Sequence, residues 1–247
     1  MDILKVGDRF SSVNFGIFTV KNYTNAHDVL IEFDNTGYCY SVAAGNARRG
    51  LVKDNMAKTV YGVGCLGNGK YKSRLPNNGP CTKEYSTWSS MMHRCYGEER
   101  DETTLRNYID CLVCEDWHNF QNFAKWCNSQ PEMLYKNSSL DKDILVKGNR
   151  VYSPNACCFV PSQLNTAVTG TKHQNSTGKA GVWKFKDSYI SEVTIFSAKS
   201  GLGSFDNIDD AQFVYNKVKE AYIRALAEIY KSDINQKAYT ILKGWTV

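Results

Sequence analysis

The spacing of apolar and polar positions changes character twice along the chain. Residues 12–25, 28–42 and Leu51–Val52 are short runs rich in Val, Ile, Phe, Thr and Tyr. Turn formers separate them at Asn14–Gly16, Asn25, Asp34–Gly37 and Arg49–Gly50. Runs bounded in this way read as strands, and their spacing predicts a small β-barrel-like domain or meander over residues 1–61. Behind Thr82, a candidate N-cap, the period becomes helical: Tyr85, Trp88, Met92 and Cys95 share one face. Trp117, Phe120, Phe123 and Trp126 repeat that logic, and Pro131 ends the helix. Aromatic stripes of this kind are core-packing surfaces.

Residues 138–167 read as strand, loop, strand and short helix, and residues 168–177 are polar and loop-like. Residues 180–197 then form a strand pair turning at Lys186–Asp187, followed by a short strand over 202–205. The last periodic segment predicts a helix from about Asp209 to Tyr230, with Ala211, Val214, Tyr215, Val218, Tyr222, Ala225 and Leu226 on one face. Three strands and a helix make a small α+β unit. The expected fold class is therefore α+β. Its expected domains are a small β domain (1–61), a basic linker (62–81), a central domain with a helical lead-in (82–170), and a three-stranded sheet plus helix (171–247).

Composition narrows the partners. No window holds the ~18–20 unbroken apolar residues of a membrane helix. The N-terminus has no apolar run, which argues against a secretory signal and for a cytoplasmic protein with no membrane partner. The net charge of +5 hides a pattern. Residues 1–80 carry +4, residues 81–170 carry −2 and residues 171–247 carry +3. Basic ends suit a polyanion, and an acidic middle permits a cation site. Arg48, Arg49 and Lys53 cluster near one turn, and Lys70, Lys72 and Arg74 make the linker basic. All six are candidate phosphate contacts. The glycine-rich run 62–69 lacks the Lys-Ser/Thr ending of a phosphate loop and is not read as one.

Nine cysteines, an odd number, disfavour a disulfide framework and leave reduced thiols or a metal site. Cys111 and Cys114 have zinc-knuckle spacing, and Cys95 and Cys157 are candidate partners for structural Zn2+. Adjacent Cys157 and Cys158 point to opposite faces if they lie in a strand.

The chemistry concentrates in residues 138–167. Asp141 ends a strand, Lys142 and Asp143 follow, Gly148–Asn149 makes a tight polar loop, and Asn165 lies in the next helix. A strand-borne carboxylate and a helix-borne amide oxygen can share one hard cation, which suits Mg2+.

Those residues carry a resemblance. The segments SLDKD and GNRVYSPNACCFVPSQLN are similar to phage HNH endonucleases of the homing type, and YSTWSSMMHRCY and CLVCEDWHNFQNFAKW resemble their helical lead-in. Residues 178–219 resemble the plant ethylene-response-factor type of DNA-binding domain, which is often fused to such nucleases. The resemblance implies a ββα-metal fold, one divalent ion and double-stranded DNA as partner, in host cytoplasm if the chain is phage-encoded. It implies Asp141 as metal-binding acid and Asn165 as helical ligand. The family's general-base histidine falls on Lys142, and its middle asparagine falls on Ala156, one place after Asn155. A lysine amine ordinarily holds its proton at neutral pH, so Lys142 suits charge stabilisation rather than proton acceptance. The base would then be Asp143, a metal-bound water, or His93, His118 or His173. In the terminal domain the resemblance implies DNA contact by Trp183, Lys184, Lys186 and Tyr189, with Glu192 beside them.

Two functions follow as expectations. One is a site-specific, metal-dependent DNA endonuclease using Asp141, Lys142, Asp143 and Asn165. The other is a sequence-specific DNA-binding protein, a repressor or site competitor, whose nuclease centre has decayed.

Overall fold

A computed structural model describes residues 3–135, 137–169 and 176–247. It is a mixed α/β chain with seven α-helices and several sheets among the described residues. The chain divides into two compact units, Met1–Lys125 and Trp126–Val247, and the division falls inside 82–170.

The first unit opens with β1 (Arg9–Ser11), β2 (Ile17–Asn25), β3 (Asp28–Phe33) and β4 (Cys39–Val42), paired in sequence order as an antiparallel meander. Burial follows the pleat: Val29, Ile31 and Phe33 are buried on β3, while the residues between them are half-exposed. The sheet is not the expected barrel. Closure needs the first and last strands to pair; β1 has three residues and β4 four, and both remain edges. Instead α1 (Ala44–Arg48) brings Ala44 and Ala47 onto the core of Phe18, Val20, Val29, Ile31 and Phe33. Leu51–Val52 is not a strand; Val52 reaches the core from irregular chain and Leu51 is exposed.

Next comes α2 (Lys83–Tyr96), capped as expected by Thr82, whose hydroxyl accepts from Tyr85 N. Its buried face is Trp88, Met91, Met92 and Cys95. The Trp88 indole donates to Trp117 O at 2.7 Å, and its ring lies 5.5 Å from that of Phe120. After α3 (Glu102–Tyr108) and β5 (Leu112–Val113), a 3-10 turn at Glu115–His118 leads into α4 (Phe120–Cys127). Part of the segment 62–81 is fastened beside this turn. Cys65 N donates to His118 O, Phe120 N donates to Cys65 O, and the Gln121 amide bonds Leu66 O and Tyr71 O.

In the second unit a 3-10 turn begins at Pro131, beyond the end of α4. β6 (Ser138–Asp141), β7 (Val151–Tyr152), β8 (Cys158–Pro161) and α5 (Ser162–Thr169) follow. β6 pairs antiparallel with β8, setting Asp141 opposite Cys158. β9 (Val182–Phe185), β10 (Ser188–Ile195) and β11 (Ala198–Phe205) form an antiparallel sheet with β10 central. The β9–β10 turn falls on Lys186, at φ 52°, and Asp187. α6 (Ile208–Ile229) starts at an Asn207 cap and α7 (Gln236–Lys243) at an Asn235 cap.

One core joins Cys158 and Val160 of β8, Leu164 and Val168 of α5, Ile223 and Leu226 of α6, and Leu242 of α7. The buried face of α6 includes Ile223 and Ala227, while Ala225, expected inside, is exposed. The drift arises because α6 packs against α5 and α7 as well as the sheet near its C-terminal end.

Candidate functional site

β6, β8 and α5 place the expected site residues on one small scaffold. Asp141 is the last residue of β6, and Asn165 lies one turn into α5, which packs against both strands. The Ser139 and Ser162 hydroxyls, 2.8 Å apart, pin the start of α5 to β6, and Ser162 also donates to Asn137 O.

Asp141 is buried, with 5 % of its surface exposed. Its Oδ1 accepts from Asp143 N at 2.8 Å and Ile144 N at 2.7 Å. Among the described residues no hydrogen bond reaches Oδ2. Burial pushes the carboxyl above its ordinary range, and the two N–H bonds only partly oppose this. On α5 the Asn165 Oδ1 is buried and has no hydrogen-bond partner. A buried acceptor left open is uncommon, because desolvation makes it unfavourable. Asp141 and Asn165 thus each present one unused oxygen.

The loop between β6 and β7 is closed on itself. Lys142 Nζ donates to both Asp143 oxygens at 2.9 Å and to Asn149 O at 2.8 Å. Three donors meeting three acceptors satisfy an ammonium group completely. Asn149 returns Nδ2 to Lys142 O and Val151 O. Lys142 is therefore a strut, with no donor left over for a phosphate, and a proton arriving at Asp143 would have to displace it. Ala156 is buried at the following turn while Asn155 is exposed.

Neither described histidine of the three candidate bases stands in this unit. His118 Nε2 lies 3.0 Å from Val113 O, an acceptor, and so carries the proton in that bond. His93 lies on α2 against the Tyr61 ring. His173 lies outside the described residues. None of the nine cysteines is paired in a disulfide. Cys95 and Cys111 are buried and Cys114 half-buried in the first unit; Cys157 is buried in the second. Among the described residues no group of three or more His, Cys, Asp or Glu side chains is arranged to hold a metal.

The candidate DNA contacts fall on several surfaces. Arg48 and Arg49 end α1, with Arg49 bonded to Gly45 O and Asn46 Oδ1, and Lys53 is exposed beyond them. Lys70, Lys72 and Arg74 are exposed, and Lys70 Nζ lies 5.2 Å from the centre of the Tyr71 ring. Register divides the residues of the C-terminal sheet. Trp183 pairs with Ile190, and Lys184 pairs with Tyr189. Successive strand residues face opposite sides, so Trp183 shares the outward face with Phe185 and Ile190, and Lys184 and Tyr189 share the other. Lys184 stays exposed because β9 is an edge strand. One positioning contact has no local sequence signal: Tyr230 OH donates to Gln163 Oε1 at 2.6 Å, tying α5 to the end of α6 across 67 positions.

Among the described residues no helix is long and apolar enough to cross a membrane. No protein-family model, curated protein or solved structure matches the chain.

Proposed function

We propose that the protein is a metal-dependent DNA endonuclease of the HNH type, with its centre on β6, β8 and α5. The observation that carries this reading is the pair of open oxygens, Asp141 Oδ2 and the buried, unpartnered Asn165 Oδ1. They fit a hard divalent cation such as Mg2+, which takes few protein oxygens and leaves room for phosphate and water. A cation held there would offset negative charge on the oxygen leaving a cleaved phosphodiester. Asp141 and Asn165 would be its ligands. The N–H groups of Asp143 and Ile144 hold the Asp141 carboxylate in place, and the Lys142–Asp143–Asn149 lock holds the loop that supplies those N–H groups. Exposed Lys184 and Lys186 in this unit, and Lys70, Lys72 and Arg74 in the other, supply cations for phosphate contact.

The direct test is incubation of supercoiled DNA with protein and Mg2+, beside Asp141→Ala and Asn165→Ala. Nicking or linearisation by wild type and its loss in both variants is the expected result. Intact DNA with all three proteins across metals and pH overturns the proposal.

A second reading, DNA binding without cleavage, is favoured by Lys142. Its ammonium is fully used within the loop, and the described residues of Trp126–Val247 include no histidine to accept a proton. It predicts tight, salt-sensitive binding to one sequence with no change in DNA topology.

A further inference from the structure

The solvent side of α2 carries Ser86, Ser89, Ser90 and His93, at the spacing of an ordinary wetted helix face. A short loop turns that face into an open depression. Val60 and Gly64 form a bridge, with Val60 N donating to Gly64 O at 2.9 Å and Gly64 N to Val60 O at 2.8 Å. Gly64 rests on Trp88 so closely that a Cβ would lie 2.8 Å from the indole. The loop is thereby fixed to α2, and it places Tyr61 over His93 with ring centres 5.4 Å apart. Tyr61 has φ 51°, an unusual conformation for a bulky side chain. Glycine would adopt it without that penalty, so an aromatic ring is held here despite local backbone preference.

The depression is open to solvent, has a volume of about 500 Å3 and is lined by Tyr61, Ser89, Ser90, His93 and Arg94. Its lining is a phenol, two hydroxyls, an imidazole and a guanidinium; no carboxylate lines it among the described residues. Arg94 is oriented by the Tyr108 ring, 5.4 Å from its guanidinium carbon. A lining rich in donors, with a cationic fork and no acid, selects an oxyanion, and the guanidinium geometry matches phosphate. The half-exposed Tyr61 ring beside it offers a flat surface for a heterocycle.

We propose that this depression binds the phosphate of a nucleotide, with Arg94, His93, Ser89 and Ser90 on the phosphate and Tyr61 against the base. The nucleotide is either free or part of a single strand. The site uses none of the Asp141–Asn165 residues, so it stands or falls independently of the endonuclease reading.

Calorimetric titration of the full chain tests it with four probes: inorganic phosphate, adenosine, adenosine 5′-monophosphate and a 5′-phosphorylated single-stranded decamer. Adenosine 5′-monophosphate is expected to bind about tenfold or more tightly than adenosine, and Arg94→Gln to weaken it about tenfold. Tyr61→Asn, which suits the left-handed backbone, is expected to weaken the nucleotide but not inorganic phosphate. Ser89→Ala with Ser90→Ala removes two donors from the helix surface and guards against a folding artefact: binding is expected to fall with an unchanged melting temperature. A decamer bound more tightly than the mononucleotide identifies the strand as source, and equal affinities identify the free nucleotide. Equal binding of adenosine and its monophosphate, or unaltered affinity in both Arg94→Gln and the double serine variant, overturns the proposal.

Discussion

Among the described residues Asp54 and Asp141 are the two buried aspartates, 3 % and 5 % exposed, and they are treated in opposite ways. Asp54 is used on both oxygens: Thr36 Oγ1 donates to Oδ2 at 2.6 Å and Met56 N donates to Oδ1 at 2.9 Å. It ties the turn after β3 to the chain beyond α1. Asp141 takes two N–H bonds on one oxygen and none on the other, near a helix whose Asn165 oxygen is also unused. A buried carboxylate completed by its own chain is architecture. One left half open has lone pairs available to a ligand, and the fold tolerates the desolvation.

The sharpest way to break this contrast is on the Asp54 side. Asp54→Ala removes two bonds and leaves the Thr36 hydroxyl and Met56 N–H without their acceptor, so unit Met1–Lys125 should lose about 3 kcal/mol in denaturant unfolding. A loss no greater than that of a surface substitution would show that Asp54 is not the tie it looks to be. Next in size is Lys142→Met, which deletes three bonds within the loop. About 2 kcal/mol should be lost, and amide exchange over 142–151 should quicken; unchanged exchange would mean that the loop does not need its strut.

The third effect concerns the open oxygens. Mg2+ at ten times its dissociation constant should stabilise the chain by about 1.4 kcal/mol, measured as a melting shift that Asn165→Ala abolishes. A shift that survives Asn165→Ala places the ion elsewhere. The smallest effect is the most diagnostic. Burial raises the folded carboxyl of Asp141 above its unfolded value, so its ionisation works against folding. Any stability from the group is full below the unfolded value and is lost as pH rises through the folded one. With chelator present, Asp141→Asn should therefore melt about 2 °C higher than wild type near pH 8, and the gap should close on acidification. A lower melting temperature near pH 8 would make Asp141 a structural residue like Asp54.

Local grammar was readable where local forces dominate. Thr82 announced a cap and is one, and Lys186–Asp187 announced a turn and is one. The inward stripe of α2 followed from Trp88, Met92 and Cys95. The Leu51–Val52 run misled because an apolar pair signals burial without specifying a strand, and Val52 is buried in irregular chain. α7 lacked a signal because eight residues carry little periodicity and its burial comes from packing on α6 within the shared core. At the candidate site, residue types singled out Asp141 and Asn165 as expectations, but their open oxygens follow from three-dimensional packing. The engagement of Lys142 was equally hidden, since its partner Asn149 O is a backbone atom seven positions away. Trp183 and Lys184 show the opposite case: simple alternation already forbade a shared face, and β9–β10 register enforces it.

Cys158 sits opposite Asp141 in the β6–β8 pair, fully buried, and burial together with the neighbouring carboxylate pushes its thiol far above the ordinary range. The thiolate is the reactive form, so this sulfur is chemically silent while the hairpin is closed. Cys39 lies on the surface, where desolvation and its bond to Glu32 also raise the thiol but leave it within reach of solvent. The chain therefore carries its own clock for the opening of the Asp141 hairpin: at alkaline pH an alkylating reagent reaches the exposed Cys39 without any strand parting, and the further delay before it marks Cys158 measures how seldom those two strands part.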